Sequence, residues 1–257
     1  MLATDTRTPP TGEYAWEIKY DGIRAQIYKN GNKISIFSRS GRNITERFPE
    51  LVKECSIFNV NDDFKIDGEI VIFNNKGISD FQAVSKRTHL KDKTKIRIKS
   101  TNNPVTFMCF DILELNAVNY RNIRYSKRKT KLIKLLWKSK PGDDRIRIVY
   151  QHPLCSYERI LVEAEEGVIF KQINSVYEDR RSKSWLKLKN KKDIDVKVLK
   201  IELNPAGKKL SCEEGITIQC SGAQSEEVEI GMIVTVEYLN KTNDGKFRMP
   251  VYKKIVR

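Results

Sequence analysis

Residues 23–29 and 33–38 are two runs rich in β-branched and aromatic side chains, joined at Lys29-Asn30-Gly31-Asn32. An Asn-Gly step between such runs supplies the positive φ angles that a tight hairpin needs, so this part of the chain is committed to an antiparallel ribbon. Residues 14–18 (Tyr-Ala-Trp-Glu-Ile) read as a further short strand, and 64–73 and 105–113 have the composition of strands packed into a core. The segment from Phe48 to Cys55 reads as a helix with Pro49 near its first turn.

A chain of 257 residues suffices for one large or two ordinary domains, and 39% hydrophobic with 32% charged residues excludes disordered and collagen-like classes. Forty-eight Lys and Arg against 33 Asp and Glu leave a net charge of +15, which suits a polyanionic partner. Nucleic acid leads that choice and an anionic membrane surface follows. The opening segment carries Asp5, Arg7 and Pro9-Pro10 with no apolar run. No stretch of about 18 apolar residues occurs, so neither a signal peptide nor a spanning helix is expected, and the reading is a cytoplasmic, nucleoid-associated protein. Five cysteines (Cys55, Cys109, Cys155, Cys212, Cys220) with no C-x-x-C pair point to reduced thiols. Cys212 and Cys220, without a nearby His or a second pair, make a weak metal motif.

From Arg121 to Lys140 there are nine Lys or Arg and no acid, with Leu132, Ile133, Leu135, Leu136 and Trp137 near helical spacing. Two readings stand for this basic helix. Its cations form a solvated face over a buried stripe, or Lys127, Arg128 and Lys131 touch phosphate. After Trp185-Leu186-Lys187-Leu188-Lys189 the polar break Asn190-Lys191-Lys192 separates a stretch in which strand-like runs (194–201, 216–219, 232–239, 247–256) alternate with Gly-bearing turns. A domain boundary near 190 gives domains 1–189 and 190–257. The second has the size and strand number of a small barrel, and the oligonucleotide-binding barrel is a common one beside nucleic-acid enzymes.

The segment Glu17-Ile18-Lys19-Tyr20-Asp21-Gly22-Ile23-Arg24 sets a lysine at a strand end, a carboxylate two residues on, a glycine where the backbone turns and an arginine beyond. A lysine whose pKa is lowered by burial near other cations can act as a nucleophile at phosphorus or carbonyl centres. On spacing alone a surface lysine remains open. Further segments follow in order: Ser38-Arg39-Ser40-Gly41, Asp67-Gly68-Glu69, 107–113, Glu166-Gly167-Val168-Ile169-Phe170-Lys171 and Trp185–Lys189. Together they resemble the ATP-dependent DNA ligases of the covalent nucleotidyltransferase superfamily. Met1-Leu2-Ala3-Thr4 ahead of Pro9-Pro10, with Arg39-Ser40-Gly41 leading into Arg47-Phe48-Pro49-Glu50, looks most like the ligase domain of bacterial end-joining ligases.

The resemblance implies an α+β fold: a nucleotidyltransferase (adenylation) domain of antiparallel sheets with flanking helices, followed by a small all-β OB-fold barrel. It implies that Lys19 attacks the α-phosphorus of ATP and holds AMP. That AMP passes to a 5′-phosphate, and a 3′-hydroxyl then displaces it to seal the strand. Glu69 is implied to bond the ribose hydroxyls, and Glu166 with Glu69 to place Mg²⁺, with Mn²⁺ as a substitute. Phe110 is implied to stack on adenine and Glu17 to accept from its amino group. Arg24 and Arg39 are implied to hold phosphate, Lys187 and Lys189 the α-phosphate, and Asp21 to orient its neighbours. Arg181 has the spacing to Trp185 that relatives give an arginine, although Glu178-Asp179 departs from their turn residues. Arg248 or Arg257 is implied to orient pyrophosphate. Only eighteen residues precede Lys19, so the large N-terminal DNA-binding domain of bigger ligases is not expected. The implied partner is nicked duplex DNA, gripped through its backbone by a monomer, with an end-binding repair protein as a candidate recruiter. An RNA ligase or mRNA-capping guanylyltransferase of the same superfamily is one alternative. A non-catalytic nucleic-acid-binding protein is the other.

Overall fold

A computed structural model describes residues 1–56, 62–139, 144–154, 166–221, 227–242 and 244–256. The chain forms two compact units, Met1–Leu188 and Lys189–Arg257. The first contains β1 (Leu2–Asp5), β2 (Tyr14–Ile18), β3 (Ile23–Asn30), β4 (Lys33–Ser38), α1 (Pro49–Ser56), β5 (Phe64–Val71), α2 (Phe81–His89), α3 (Lys93–Asn102), β6 (Thr106–Leu115), β7 (Val118–Asn119), α4 (Tyr125–Ser139), β8 (Ile146–Ile148), β9 (His152–Pro153), β10 (Gly167–Gln172) and β11 (Arg181–Lys189). The second contains β12 (Lys192–Asn204), β13 (Gly207–Cys212), β14 (Thr217–Cys220), β15 (Ile233–Tyr238) and β16 (Val251–Ile255). The fold is therefore mostly sheet with some helices. Among the described residues no helix is long and apolar enough to cross a membrane.

Two sheets build the first unit, one in the order β1-β11-β10-β2-β9 and one in the order β4-β3-β5-β6-β7 with β8 against β6. The second sheet buries Ile27, Ile36, Ile66, Ile70, Phe107 and Ile112 against Leu51 of α1, Val84 of α2 and Leu132 of α4. In the first sheet alternation sorts the faces of β11: Leu186 and Leu188 pack on Trp16, Val168 and Phe170, while Trp185 joins Tyr177 and Leu113.

The expected hairpin forms, with Asn30 paired to Lys33, but only Gly31 takes a positive φ, at 54°. Strand β5 ends at Val71, short of residue 73; Phe73 makes an isolated bridge to Ser79. The sheets are not purely antiparallel, since β1 runs parallel to β11 and β6 to β8. Long intervening stretches of chain allow both pairings. Helices α2 and α3 fill the interval after β5, capped by Asp80 and Asp92, whose carboxylates accept from the N–H groups of Ala83 (3.0 Å) and Lys95 (2.9 Å).

Helix α4 corrects the reading of its charge. Leu132, Leu135 and Leu136 are buried, whereas Ile133 and Trp137 face outward and Lys140 lies outside the described residues. Arg128 and Lys129 are fully buried. Arg128 clamps Asp111 with two bonds of 2.8 and 2.9 Å, and Lys129 reaches Glu17 at 2.5 Å. Arg128 is thus an internal counter-ion, not a solvated or phosphate-binding group.

In the second unit β12 is shared. Lys192–Lys197 pair with β15 and Val198–Asn204 with β13, across a register shift between Val198 and Lys200. The strand order is β14-β13-β12-β15-β16, around Val196, Val198, Leu210, Ile218, Val234 and Val236. Strand β13 lacks a counterpart in the sequence reading. Cys55, Cys109, Cys212 and Cys220 are buried free thiols, and Cys155 lies outside the described residues.

Removing one partner of a buried ion pair strands the other. Arg128→Met is expected to lower unfolding free energy by about 3–5 kcal/mol in urea titrations, while Lys127→Met, on the exposed face of the same helix, stays within about 0.5 kcal/mol.

Candidate active site

Lys19 follows β2 and is pinned at its backbone, where its N–H donates to the carbonyl of Gly167 at 2.9 Å. Its Nζ forms an ion pair with Glu166, the residue just ahead of β10. Gly22 closes the loop that leads into β3. An ideal Cβ there would lie 2.3 Å from the carbonyl oxygen of Ile70 and 2.9 Å from Cγ of Glu69, so only glycine allows the loop to lie this close to β5. Asp21 is buried in the same loop, and its N–H donates to Oγ of Ser79 at 3.0 Å.

The amine opens into a cavity of about 120 Å³ whose walls include Glu17, Arg24, Glu69, Phe110 and Ile169. A wider cleft of about 1010 Å³, walled in part by Tyr20, Phe73, Met108 and Arg147, also reaches Lys19 and Glu166. Desolvation pushes the Glu69 carboxyl up to about 8; the Lys19 charge opposes this rise and the Glu166 charge adds to it. Glu69 and Glu166 are carboxylate oxygen donors on these walls, and among the described residues there is no cluster of three or more His, Cys, Asp or Glu able to cage a metal. Their chemistry fits a hard divalent cation that takes its remaining ligands from water and bound phosphate.

Beneath the cavity lies a buried charge cluster centred on Glu17. Its carboxylate accepts from Tyr125 Oη (2.6 Å), Lys129 Nζ (2.5 Å) and Lys171 Nζ (2.5 Å). Three of its roughly four lone-pair directions are thereby taken, leaving one for a ligand. Burial alone would raise its pKa, but the two ammonium groups outweigh burial and hold it below the ordinary value. Lys171 is enclosed by aromatic faces, with Nζ 4.2 Å from the Trp185 ring centre and 4.6 Å from that of Phe110. Burial lowers its pKa to about 8 against the opposing pull of Glu17.

Arg24 shares the cavity wall but is largely committed elsewhere. It bonds Asp67 at 2.7 and 3.1 Å, the hydroxyl of Tyr177 at 3.1 Å and the carbonyl of Met1. Four of its five N–H groups are spent internally, so a bidentate fork for phosphate is not available. Arg24 in turn holds Asp67 ionised, overcoming a burial penalty that acts the other way. Arg39 is exposed and lines a separate hollow of about 420 Å³ with Tyr28, Phe37 and Tyr177.

The structure thus brings Lys19, Glu17, Glu69, Phe110, Arg24 and Glu166 together. Lys187 instead pairs with Asp5 across β1 at 3.1 Å, and Arg181 donates to the carbonyl of Ala3 at 2.5 Å. Lys189 and Arg248 belong to the second unit, where Lys189 Nζ lies 4.0 Å from the Met249 sulfur and Arg248 bonds Asn240 at 3.4 Å. Arg257 lies outside the described residues. Sequence reasoning missed Asp67, Asp111, Tyr125, Arg128, Lys129 and Tyr177 as supports, and quoted Lys171 without a role. Acids in the middle of apolar strand runs, as at Asp67 and Asp111, were the available signal, because a buried charge must find a partner.

Between pH 4.5, the ordinary value for this carboxyl, and about 8, folded Glu69 retains a proton that the unfolded chain has released. Its contribution to stability therefore falls as pH rises through that window. Glu69→Gln is expected to gain in melting temperature relative to the unsubstituted protein as pH goes from 5 to 9, read by thermal unfolding in a pH series.

A family model described as an ATP dependent DNA ligase domain matches residues 1–189. The chain is similar to the bifunctional non-homologous end joining protein LigD of Bacillus subtilis, 30% identical over 206 residues covering 74% of this chain and 34% of that protein. It is 33% identical over 186 residues to DNA ligase 2 of Methanosarcina mazei, covering 69% and 32% respectively. It spans about a third of the length of these curated relatives. Solved structures with a similar fold include a Lig E DNA ligase (TM-score 0.73, 18% identity, 99% of this chain and 98% of that one). The ligase domain of M. tuberculosis LigD is another (TM-score 0.63, 18% identity, 99% and 93%).

Proposed function

The chain belongs to the ATP-dependent DNA ligase family, and from that footing we propose that it seals 5′-phosphate/3′-hydroxyl breaks in duplex DNA through an AMP adduct on Lys19. The observation that carries the reading is one amine, ion-paired to Glu166, opening into a cavity walled by Phe110, Ile169 and Glu69.

Adenine fits between the Phe110 ring and the Ile169 side chain, with the open lone pair of Glu17 available to its amino group. Glu69 meets the ribose hydroxyls. The Lys19 amine gives up its proton, for which the Glu166 carboxylate is the acceptor in contact with it, and attacks the α-phosphorus. The N–P bond forms as the bond to pyrophosphate breaks. A 5′-phosphate oxygen then attacks the same phosphorus and releases Lys19. The 3′-hydroxyl finally attacks the 5′-phosphorus and expels AMP. Each step is a displacement at phosphorus, so alignment and charge neutralisation dominate. Arg39, the remaining N–H of Arg24, and Lys187 and Lys189 supply positive charge, with Arg181 as a further candidate. Asp21 orients the nucleophile loop. A divalent cation held by Glu166 and Glu69, Mg²⁺ or Mn²⁺, neutralises phosphate charge when bound.

The second unit, with β12 shared between two neighbours, suits an OB-type barrel, and Arg248 or Arg257 within it is our candidate for orienting pyrophosphate. Nicked duplex DNA bound through its backbone is the substrate this reading requires, and an end-binding protein is the recruiter it suggests.

Incubation with ATP and Mg²⁺, followed by peptide mass spectrometry, is expected to find AMP on Lys19. Lys19→Ala should lose the adduct while binding nicked duplex within a few fold. An adduct formed from GTP alone, or located on another side chain, would overturn the assignment.

A further inference from the structure

The densest run of exposed cations in the first unit lies on and just ahead of a helix that has no part in the site above. Lys93, Lys95, Arg97 and Lys99 of α3 are all exposed, as is Lys91 just ahead of the Asp92 cap. Asp92 is the sole acid in this segment, and its carboxylate caps the helix. Among the described residues none of the five cations has an acidic partner within ion-pair distance. On α4, by contrast, Arg128 and Lys129 turn inward and Lys138 lies 3.6 Å from Asp62.

This arrangement works against the helix itself. Lys93 with Arg97, and Lys95 with Lys99, are like-charged i,i+4 neighbours, each pair destabilising. Lys93 and Lys95 also sit in the first turn, where the helix dipole disfavours positive charge. Nor does the core account for it, since Ile96 is the only buried residue of α3. The helix is anchored from below. Arg87 of α2, fully buried, pairs with Glu50 of α1 at 2.7 Å and donates to the carbonyl of Ile96 at 3.2 Å. Five cations are thus presented on a fixed support, at a local cost that an anionic partner would remove.

We propose that α3 is a docking face for the sugar-phosphate backbone of duplex DNA flanking the break, a reading that rests on the ligase function proposed above. From Lys93 to Lys99 the helix advances about 9 Å. Lys93 and Arg97 lie on one flank and Lys95 and Lys99 on the other, either side of the buried Ile96. Duplex DNA offers one phosphate charge per roughly 1.7 Å of axis, so several phosphates fall within reach of long side chains. A lipid surface is the poorer match: an interfacial helix sets a broad apolar face beside its cations, and α3 exposes only Ile98 in that way. Contacts of this kind read charge and shape, without sequence preference.

The test is a variant with Lys91, Lys93, Lys95, Arg97 and Lys99 all changed to Gln, titrated with a nicked duplex of about 40 base pairs by fluorescence anisotropy over a salt series. Its slope of log affinity against log salt is expected to be shallower by about 2–4, with affinity at moderate salt lower by roughly 10-fold or more. An unchanged slope and affinity would overturn the proposal. So would an unchanged DNA slope accompanied by lost binding to phosphatidylserine vesicles, which would assign the face to membrane instead. Should the fivefold variant melt at a lower temperature, the pair Lys93→Gln and Arg97→Gln is read in its place, with a slope change of about 1–2 expected. Adenylation by ATP involves no DNA and is measured separately on the unsubstituted chain. Its failure would remove the ligase reading, while the slope difference would still decide whether α3 meets DNA.

Discussion

Two carboxylates buried opposite one another set the terms for the first unit. Asp67 on β5 and Asp111 on β6 are cross-strand partners, each with a fully buried side chain. Like charges so placed repel, and neither has water to screen it. Each is matched by its own arginine from another element, Arg24 from β3 and Arg128 from α4. A buried ion pair adds little net stability over an apolar pair, but leaving one partner unmatched is costly. The two acids therefore tie β3 to its neighbour β5 within the sheet and fix where α4 lies against it.

The same compensation extends to the site. The residue after Arg128 on α4 is Lys129, which reaches Glu17, and Glu17 also holds Lys171 under the rings of Phe110 and Trp185. The wall of the cavity beside Lys19 is thus tied through ion pairs to the sheet behind it. Charges fixed in this way do not need to reorganise when phosphates arrive, which is how a preorganised polar site favours developing charge.

The strands were largely legible because alternation and turn residues are local signals. The hairpin at Gly31, β2 and the long central strands all carry them. Strand β1 carried none: its pairing to β11 joins segments far apart in the chain, and its short run looks like an irregular terminus. Helix α3 was hidden because its cations overwrite the apolar periodicity, leaving Ile96 alone to mark the buried face. The order of the motifs named Lys19, Glu69 and Glu166, which the fold brings near one another. The supports of these residues were not legible. Arginine and lysine are surface residues by default, so nothing local announces that Arg128 and Lys129 point inward while Lys127 does not.

The tight passage at Gly22 also separates what can vary near the nucleophile from what cannot. The loop is located by its backbone, through the carbonyl of Gly167 at one end and the lack of a side chain over Ile70 at the other. Tyr20 makes no part of either anchor. A directed-evolution library diversified at Tyr20 would therefore explore new chemistry around a stationary amine, whereas one randomised at position 22 would mostly yield chains in which that amine has shifted.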